Sequence, residues 1–254
     1  WAGLYLITFP FGFHEQLKNY PAILRLLSQY EEGLRKRGQC TSSRNRKGEG
    51  QHHWLELDNN PKESFLSEFQ QPKLIVPAIA PIPSFAPDFN SHFSNNKSTI
   101  FLPPRLFFAL GVLNSSVNAW LATQICSSKQ NGFFDFEPQY SSQLVIPAAN
   151  SAQTTVMEII VSVVLSIRAP QFEQLLNGLV FELFFPEDLN AADIHLFDAC
   201  TQAGIAQLAG LQGQAFVTQA QTWANTVFAS NHPLYAMLFD LQALDVVRTI
   251  EGKA

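Results

Sequence analysis

Charge is scarce in this chain of 254 residues: Asp, Glu, Lys and Arg together make up 15%, against roughly a quarter in an ordinary globular protein. A surface with so little charge must be neutral and polar, or covered by a partner. Cysteine is scarce too. Cys40, Cys126 and Cys200 are odd in number and far apart, so no disulfide framework follows and a reducing, cytoplasmic setting is the simplest expectation. There are only 2 methionines, and the chain starts at Trp1, which reads as a piece of something longer. No signal peptide is visible. The longest apolar run, 156–167, carries Glu158 and is too short to span a bilayer, so no membrane partner is expected. What is abundant is apolar: 46% of the residues, with 22 phenylalanines. That excludes a disordered chain and permits a sizeable core in one large domain or two small ones.

The motifs of common chemistries are missing as well. Gly33 and Gly38 have the spacing of a phosphate-binding P-loop, but Gln39 and Cys40 follow where Lys and Ser/Thr are needed. No G-x-S-x-G elbow holds a nucleophilic serine. His52 and His53 are adjacent, which points them apart, with no cysteine near enough for structural zinc. Asp193, His195 and Asp198 read as a solvated helical face. Asp88 could open a nuclease metal site, but the one E-x-K, Glu251-Gly252-Lys253, lies far off at the chain end. No catalytic residue and no metal site is expected, and the chain reads as a binding module.

Its charge is unevenly spread. Residues 1–150 hold 13 basic and 11 acidic residues, a net of +2; residues 151–254 hold 3 and 10, a net of −7. Six basic residues, Arg35, Lys36, Arg37, Arg44, Arg46 and Lys47, fall in one stretch. Such a block beside an acidic tail suits phosphate contacts from one face, or is a solvated loop.

Apolar spacing gives the organisation. Residues 4–11 read as a strand. Pro21 opens an amphipathic helix over 21–37 through Ile23, Leu24, Leu27, Tyr30 and Leu34, stopped by Arg35-Lys36-Arg37-Gly38. Residues 39–51 form a polar loop. Strands are expected at 54–57, 74–79, 98–102, 133–136 and 143–146, and a helical turn at 62–69. A helix runs from Pro103-Pro104 to Leu113, interrupted by Asn114-Ser115-Ser116 and resumed over 117–125. After Asn150 only helical spacing remains, over 151–168, 171–185, 191–228 and 233–248. The fold class expected is α+β: a mixed sheet with flanking helices over 1–150, then a helical part over 151–254.

Several stretches in order carry a resemblance: Leu-Ile-Thr-Phe-Pro (6–10), Asn-Tyr-Pro-Ala-Ile-Leu-Arg-Leu-Leu (19–27), Tyr-Glu-Glu-Gly-Leu-Arg-Lys-Arg-Gly (30–38) and His-Trp-Leu-Glu-Leu (53–57). Phe-Gln-Gln-Pro-Lys-Leu-Ile-Val-Pro-Ala-Ile (69–79), Phe85, Asp88, Asn96, Phe-Phe-Ala-Leu-Gly-Val-Leu-Asn-Ser (107–115) and Leu-Val-Ile-Pro (144–147) follow. Together, over about residues 4–150, they resemble the target-recognition domain of TaqI-like adenine DNA methyltransferases, as found in single-chain type IIG restriction-modification enzymes. Leu-Asn-Gly-Leu-Val-Phe-Glu-Leu-Phe-Phe (176–185) is similar to the C-terminal extension of those enzymes, which often has Asp where Asn177 stands and Leu-Tyr where Phe184-Phe185 stand. The exit is Val-Ile-Pro-Ala rather than Pro-Ile-Pro.

The resemblance implies a fragment that reads double-stranded DNA and does no chemistry itself. A methyltransferase domain of the parent chain would move a methyl group from S-adenosylmethionine to a flipped adenine, and the parent, with Mg²⁺, could also cut nearby. The fragment itself takes no cofactor. Arg35, Arg37, Arg44, Arg46 and Lys47 would then approach phosphates or guanine edges. Lys73 lies in the matched Pro-Lys-Leu-Ile stretch and either faces DNA or pairs with a carboxylate. Asn96 and Lys97 sit on a polar turn; Lys129, Gln130 and Asn131 sit on a loop; both are candidates for DNA contact. Asn114 and Ser115 match the motif, yet read first as a helix interruption bonded to backbone. Trp54 and Trp120 read as core. Two other classes stay open: a non-catalytic protein-interaction or scaffold module with an incidental basic loop, and an enzyme with a scattered site using His14 or His232.

Overall fold

The computed structural model describes residues 3, 5–7, 9, 12–41, 52–56 and 63–253. The fold is α+β, with 57% of residues helical and 7% in small antiparallel strands. The chain forms two compact units.

The first unit draws on the described residues of Trp1–Pro72 with Phe89–Phe93. A 3₁₀ turn, Phe13–Asn19, leads into α1 (Pro21–Ser28), whose first position is the expected proline. The helix expected to run to residue 37 breaks at Tyr30, whose φ of −111° and ψ of 9° leave the helical region, and resumes as α2 (Glu31–Arg35). A short α3 (Gly38–Thr41) continues past the expected stop, and α4 spans Glu63–Glu68. The core is small: Phe9, Leu17, Trp54 and Leu55 are buried against Ile23, Leu24, Leu27 and Leu34. Residues 5–7 and 9 form no strand, and Trp54 and Leu55 sit in a turn instead of the strand expected at 54–57. An apolar run short of partners with free edges gains nothing from extension.

The second unit comprises Lys73–Asp88 and Ser94–Ala254. Its strand β1 (Lys73–Pro77) lies between two antiparallel neighbours, β3 (Ala86–Asp88) and β4 (Ser98–Phe101). The chain steps from β1 through Ala78 into β2 (Ile79–Ala80), which pairs with β5 (Phe134–Asp135). Ala78 links the two sheets: its N–H donates to the Lys97 carbonyl (2.8 Å) and its carbonyl accepts from the Phe136 N–H (2.7 Å).

Behind the sheets lies α5 (Leu106–Leu113), buried at every position from Phe108 to Leu113. Asn114 and Ser115 end it, and α6 (Ser116–Ile125) departs at 66°. Among the described residues no single helix is long and apolar enough to cross a membrane. After a short α7 (Pro138–Ser141), residues 143–146 are not the expected strand: the Asn118 side chain clasps the backbone of Val145, donating to its carbonyl (2.9 Å) and accepting from its N–H (3.1 Å). Both hydrogen bonds a strand would offer a neighbour are taken by one amide.

The remainder is helical: α8 (Ser151–Ile167), α9 (Pro170–Phe184), α10 (Pro186–Ala191), α11 (Leu196–Gln202), α12 (Gly213–Val227), α13 (Pro233–Leu241) and α14 (Asp245–Ile250). Asn150 opens α8 with a capping box to Gln153. The expected tract 191–228 is three pieces, turned at Gly204 and Gly210, both with left-handed φ. The shift to pure helix does fall at 150, but the spatial division falls at Pro72. The reason is packing. Gly111 lets α5 approach α8 so closely that a Cβ there would meet Val161 Cγ2 at 2.6 Å, and Val161 with Leu176 packs into the core of the sheets.

Candidate nucleic-acid interface

Three of the eleven residues expected to contact DNA, Arg44, Arg46 and Lys47, lie outside the described residues. The rest sort by what their polar atoms already hold.

Lys73 does not face DNA. It is fully buried at the start of the middle strand, directly opposite Asp88 in the register, and its ammonium meets the Asp88 carboxylate at 2.5 Å. The carboxylate alternative for this lysine is the one realised, because a cation in a covered strand needs a partner to offset its lost hydration.

Arg37 is likewise turned inward. Its guanidinium donates to the carbonyls of Leu34 (3.0 Å), Trp54 (2.7 Å) and Glu56 (2.7 Å), tying helix end to turn. Arg35 remains half-exposed, hydrogen-bonded to Glu31 one helical turn back (2.7 Å) and lying over the Trp54 ring at 5.3 Å. Trp54 is thus core on one face and a cation's platform on the other.

Five residues, Asn96, Lys97, Lys129, Gln130 and Asn131, stay on the surface of the second unit, on two turns. Asn95 makes the first an Asx turn, its side chain accepting from the Lys97 N–H (2.9 Å) while its carbonyl accepts from Ser98 N–H (3.2 Å). Asn96 and Lys97 are exposed on it, and Lys97 carries no ion-pair partner among the described residues. The second turn runs from Ser127 to Phe134. It is closed by Lys129 N–H to the Phe133 carbonyl (2.7 Å) and by Asp135 N–H to Ser127 (3.0 Å), with Asn131 at its tip in a left-handed conformation (φ 60°). The Lys129 ammonium sits 3.0 Å from Asp135. Burial alone would raise the Asp135 carboxyl, but the Glu137 N–H and Lys129 outweigh it and hold it below the ordinary range; the same contact raises Lys129.

The register brings these turns together. Lys97 precedes the β4 residue opposite Pro77, and Phe133 precedes the β5 residue opposite Ala80, so both turns lie at the same end of the β1–β2 ribbon. Ile79, Ile82 and Phe133 are exposed near them.

Several asparagines do structural work that residue type alone left unassigned. Asn114 holds Phe85 by both backbone groups (2.8 and 2.9 Å), and Ser115 caps α6 through the Asn118 N–H (3.3 Å), as the helix-interruption reading expected. Asn177 caps the same helix from α9, accepting from the Ser116 N–H (2.8 Å). Glu182 does likewise for α11, accepting from Leu196 (2.7 Å) and Phe197 (3.1 Å); burial raises its carboxyl despite these bonds. A polar residue recurring on an otherwise apolar helical face was the available signal.

Among the described residues no group of three or more His, Cys, Asp or Glu is placed to hold a metal ion. His232 caps α13 by accepting from Leu234 N–H (3.1 Å), and His14 Nδ1 donates to the Glu56 carboxylate (2.6 Å). Burial raises the thiols of Cys126 and Cys200, which favours the unreactive protonated form. Trp120 is partly exposed rather than core. No protein-family model matches this chain, and no curated protein sequence matches it.

Proposed function

We propose that this chain is a sequence-reading fragment for double-stranded DNA, of the kind that serves an adenine-specific methyltransferase in type IIG restriction-modification enzymes. Methyl transfer from S-adenosylmethionine, and any cutting, would belong to other domains of the parent. The observation that carries the reading is the pair of exposed Asn/Lys turns at one end of the ribbon, which present amides and an uncommitted ammonium. An Asn amide can pair bidentately with the adenine edge, and a lysine with guanine or phosphate. The two turns are braced by Asx geometry and by the Lys129–Asp135 contact, so little ordering cost falls on binding. Arg44, Arg46 and Lys47 would add phosphate contacts.

The test is fluorescence anisotropy on mixed-sequence duplexes across salt concentration, with Lys97→Ala and an Arg44/Arg46/Lys47→Ala variant beside the natural chain. The expected result is salt-sensitive binding whose slope drops by about one in the first variant and by about three in the second. Absent binding at low salt, or unchanged slopes, would overturn it. The exposed Ile79, Ile82 and Phe133 favour a second reading, a protein-interaction module; salt-insensitive self-association lost in Ile82→Ser would support that one instead.

A further inference from the structure

The stretch 42–51 joins the two legs of a stem, 35–41 and 52–56, and the described residues of these legs are stitched together by polar groups. From the leg before it, Arg37 reaches the carbonyls of Trp54 and Glu56, and the Cys40 thiol points at the His53 carbonyl (3.9 Å). From the leg after it, the Glu56 carboxylate is almost completely buried and gathers three groups: the Gly12 N–H (2.6 Å), the His53 N–H (3.0 Å) and His14 Nδ1 (2.6 Å). The His53 ring stacks on His14, centroids 4.2 Å apart and planes 13° from parallel, and its Nδ1 accepts from the Leu55 N–H (3.3 Å).

We propose that His53 is a proton-sensitive pin in this stem, so that mild acid loosens the joint between its two legs while the second unit stays folded. Two geometric facts carry it. Protonation turns Nδ1 from acceptor to donor and so breaks the bond from Leu55. It also places a positive charge against the face of the His14 ring, 4.2 Å away and held by Glu56, where burial leaves that charge poorly solvated. The charged groups facing the His53 ring are His14, Glu56, and Arg35 and Glu31 from α2; Arg37 and Cys40 touch its neighbours' backbone or its own carbonyl. Desolvation, then His14, lowers the His53 imidazole below the ordinary histidine value, against the smaller pull of Glu56. The sign follows. The unfolded stem binds a proton near pH 6.5 that the folded stem refuses, so stability is full above that pH and falls below it. The Glu56 carboxyl, also lowered, adds its own loss only further down, below the ordinary carboxylate range. The device operates whatever this chain binds.

The experiment follows the histidine ring protons by NMR from pH 8 to pH 4.5 in the intact chain. It also follows amide exchange of Leu55 and Glu56, corrected for intrinsic rates, in the natural protein and in His53→Phe, which keeps a flat ring on His14. The expected outcome is a His53 titration below the ordinary value and protection that falls by up to roughly tenfold per pH unit beneath about pH 6.5. His53→Phe should remove that slope down to the range where Glu56 takes a proton. The same slope in His53→Phe, or a natural His53 that titrates at the ordinary value, overturns the proposal; the second result decides it even if the variant does not fold.

Discussion

The two units are held together by different means. In the second, helices bury long apolar side chains against one another: Ile160, Leu175, Leu179, Phe181 and Leu241 are each no more than 1% exposed, and small residues such as Gly178 admit close approach. In the first, a small cluster of buried apolar residues is supplemented by Glu56, Arg37 and a histidine stack. Where apolar area is large, cohesion needs no particular register and responds weakly to pH. Where it is small, a few directional bonds to backbone carry the shape, and the shape inherits the chemistry of those groups.

That contrast can be broken in order of effect. Phe181→Ala should destabilise the second unit by about 3–5 kcal/mol, read by urea unfolding with tryptophan fluorescence. A loss under about 1 kcal/mol would mean its core is loose enough to collapse on the cavity. Lys73→Ala should cost a similar amount, about 3–5 kcal/mol, since it takes the ammonium away from the buried Asp88 carboxylate; the paired change Lys73→Met with Asp88→Leu should recover most of it. If the single variant costs little, the pair is wetter than its burial indicates.

Glu56→Gln should weaken the first unit by about 1–3 kcal/mol, seen as faster exchange at Gly12 and His53 with the urea transition of the second unit unmoved. Because its carboxyl is held low, the natural residue contributes stability above the ordinary carboxylate range that drains away as pH falls; the variant should lack this acid-side loss. Lys97→Ala should change stability by less than about 0.5 kcal/mol while lowering duplex affinity at low salt. A stability loss there would place Lys97 in the fold instead of on the interface.

Much of this architecture was legible in order and type. The proline start of α1, the β1 and β4 strands, the break at Asn114-Ser115 and the helices after Asn150 follow from apolar period and local capping chemistry, which act over a few residues. The failures share a cause in distant partners. Nothing near 143–146 announces that an amide on α6, Asn118, will occupy the backbone of Val145. Lys73 and Arg37 look like surface cations until Asp88 and the Trp54 and Glu56 carbonyls are brought to them by folding. Glu56 carried a faint signal, an acid set in Trp-Leu-Glu-Leu after two histidines, but His14 lies 42 residues away. Of the candidate interface, only residue types were legible in advance; the strand register decided which of them share an end.

The close approach at Gly111 has a practical meaning for anyone cutting or grafting this protein. A seam where a methyl group would strike Val161 at 2.6 Å is a shared wall, with no surface of its own on either side. Severing the chain at residue 150, where its composition changes, would leave that wall half-built, with the apolar flank of α5 open to water and to aggregation. The smallest transplantable piece that carries the two Asn/Lys turns therefore takes α8 and α9 along with them.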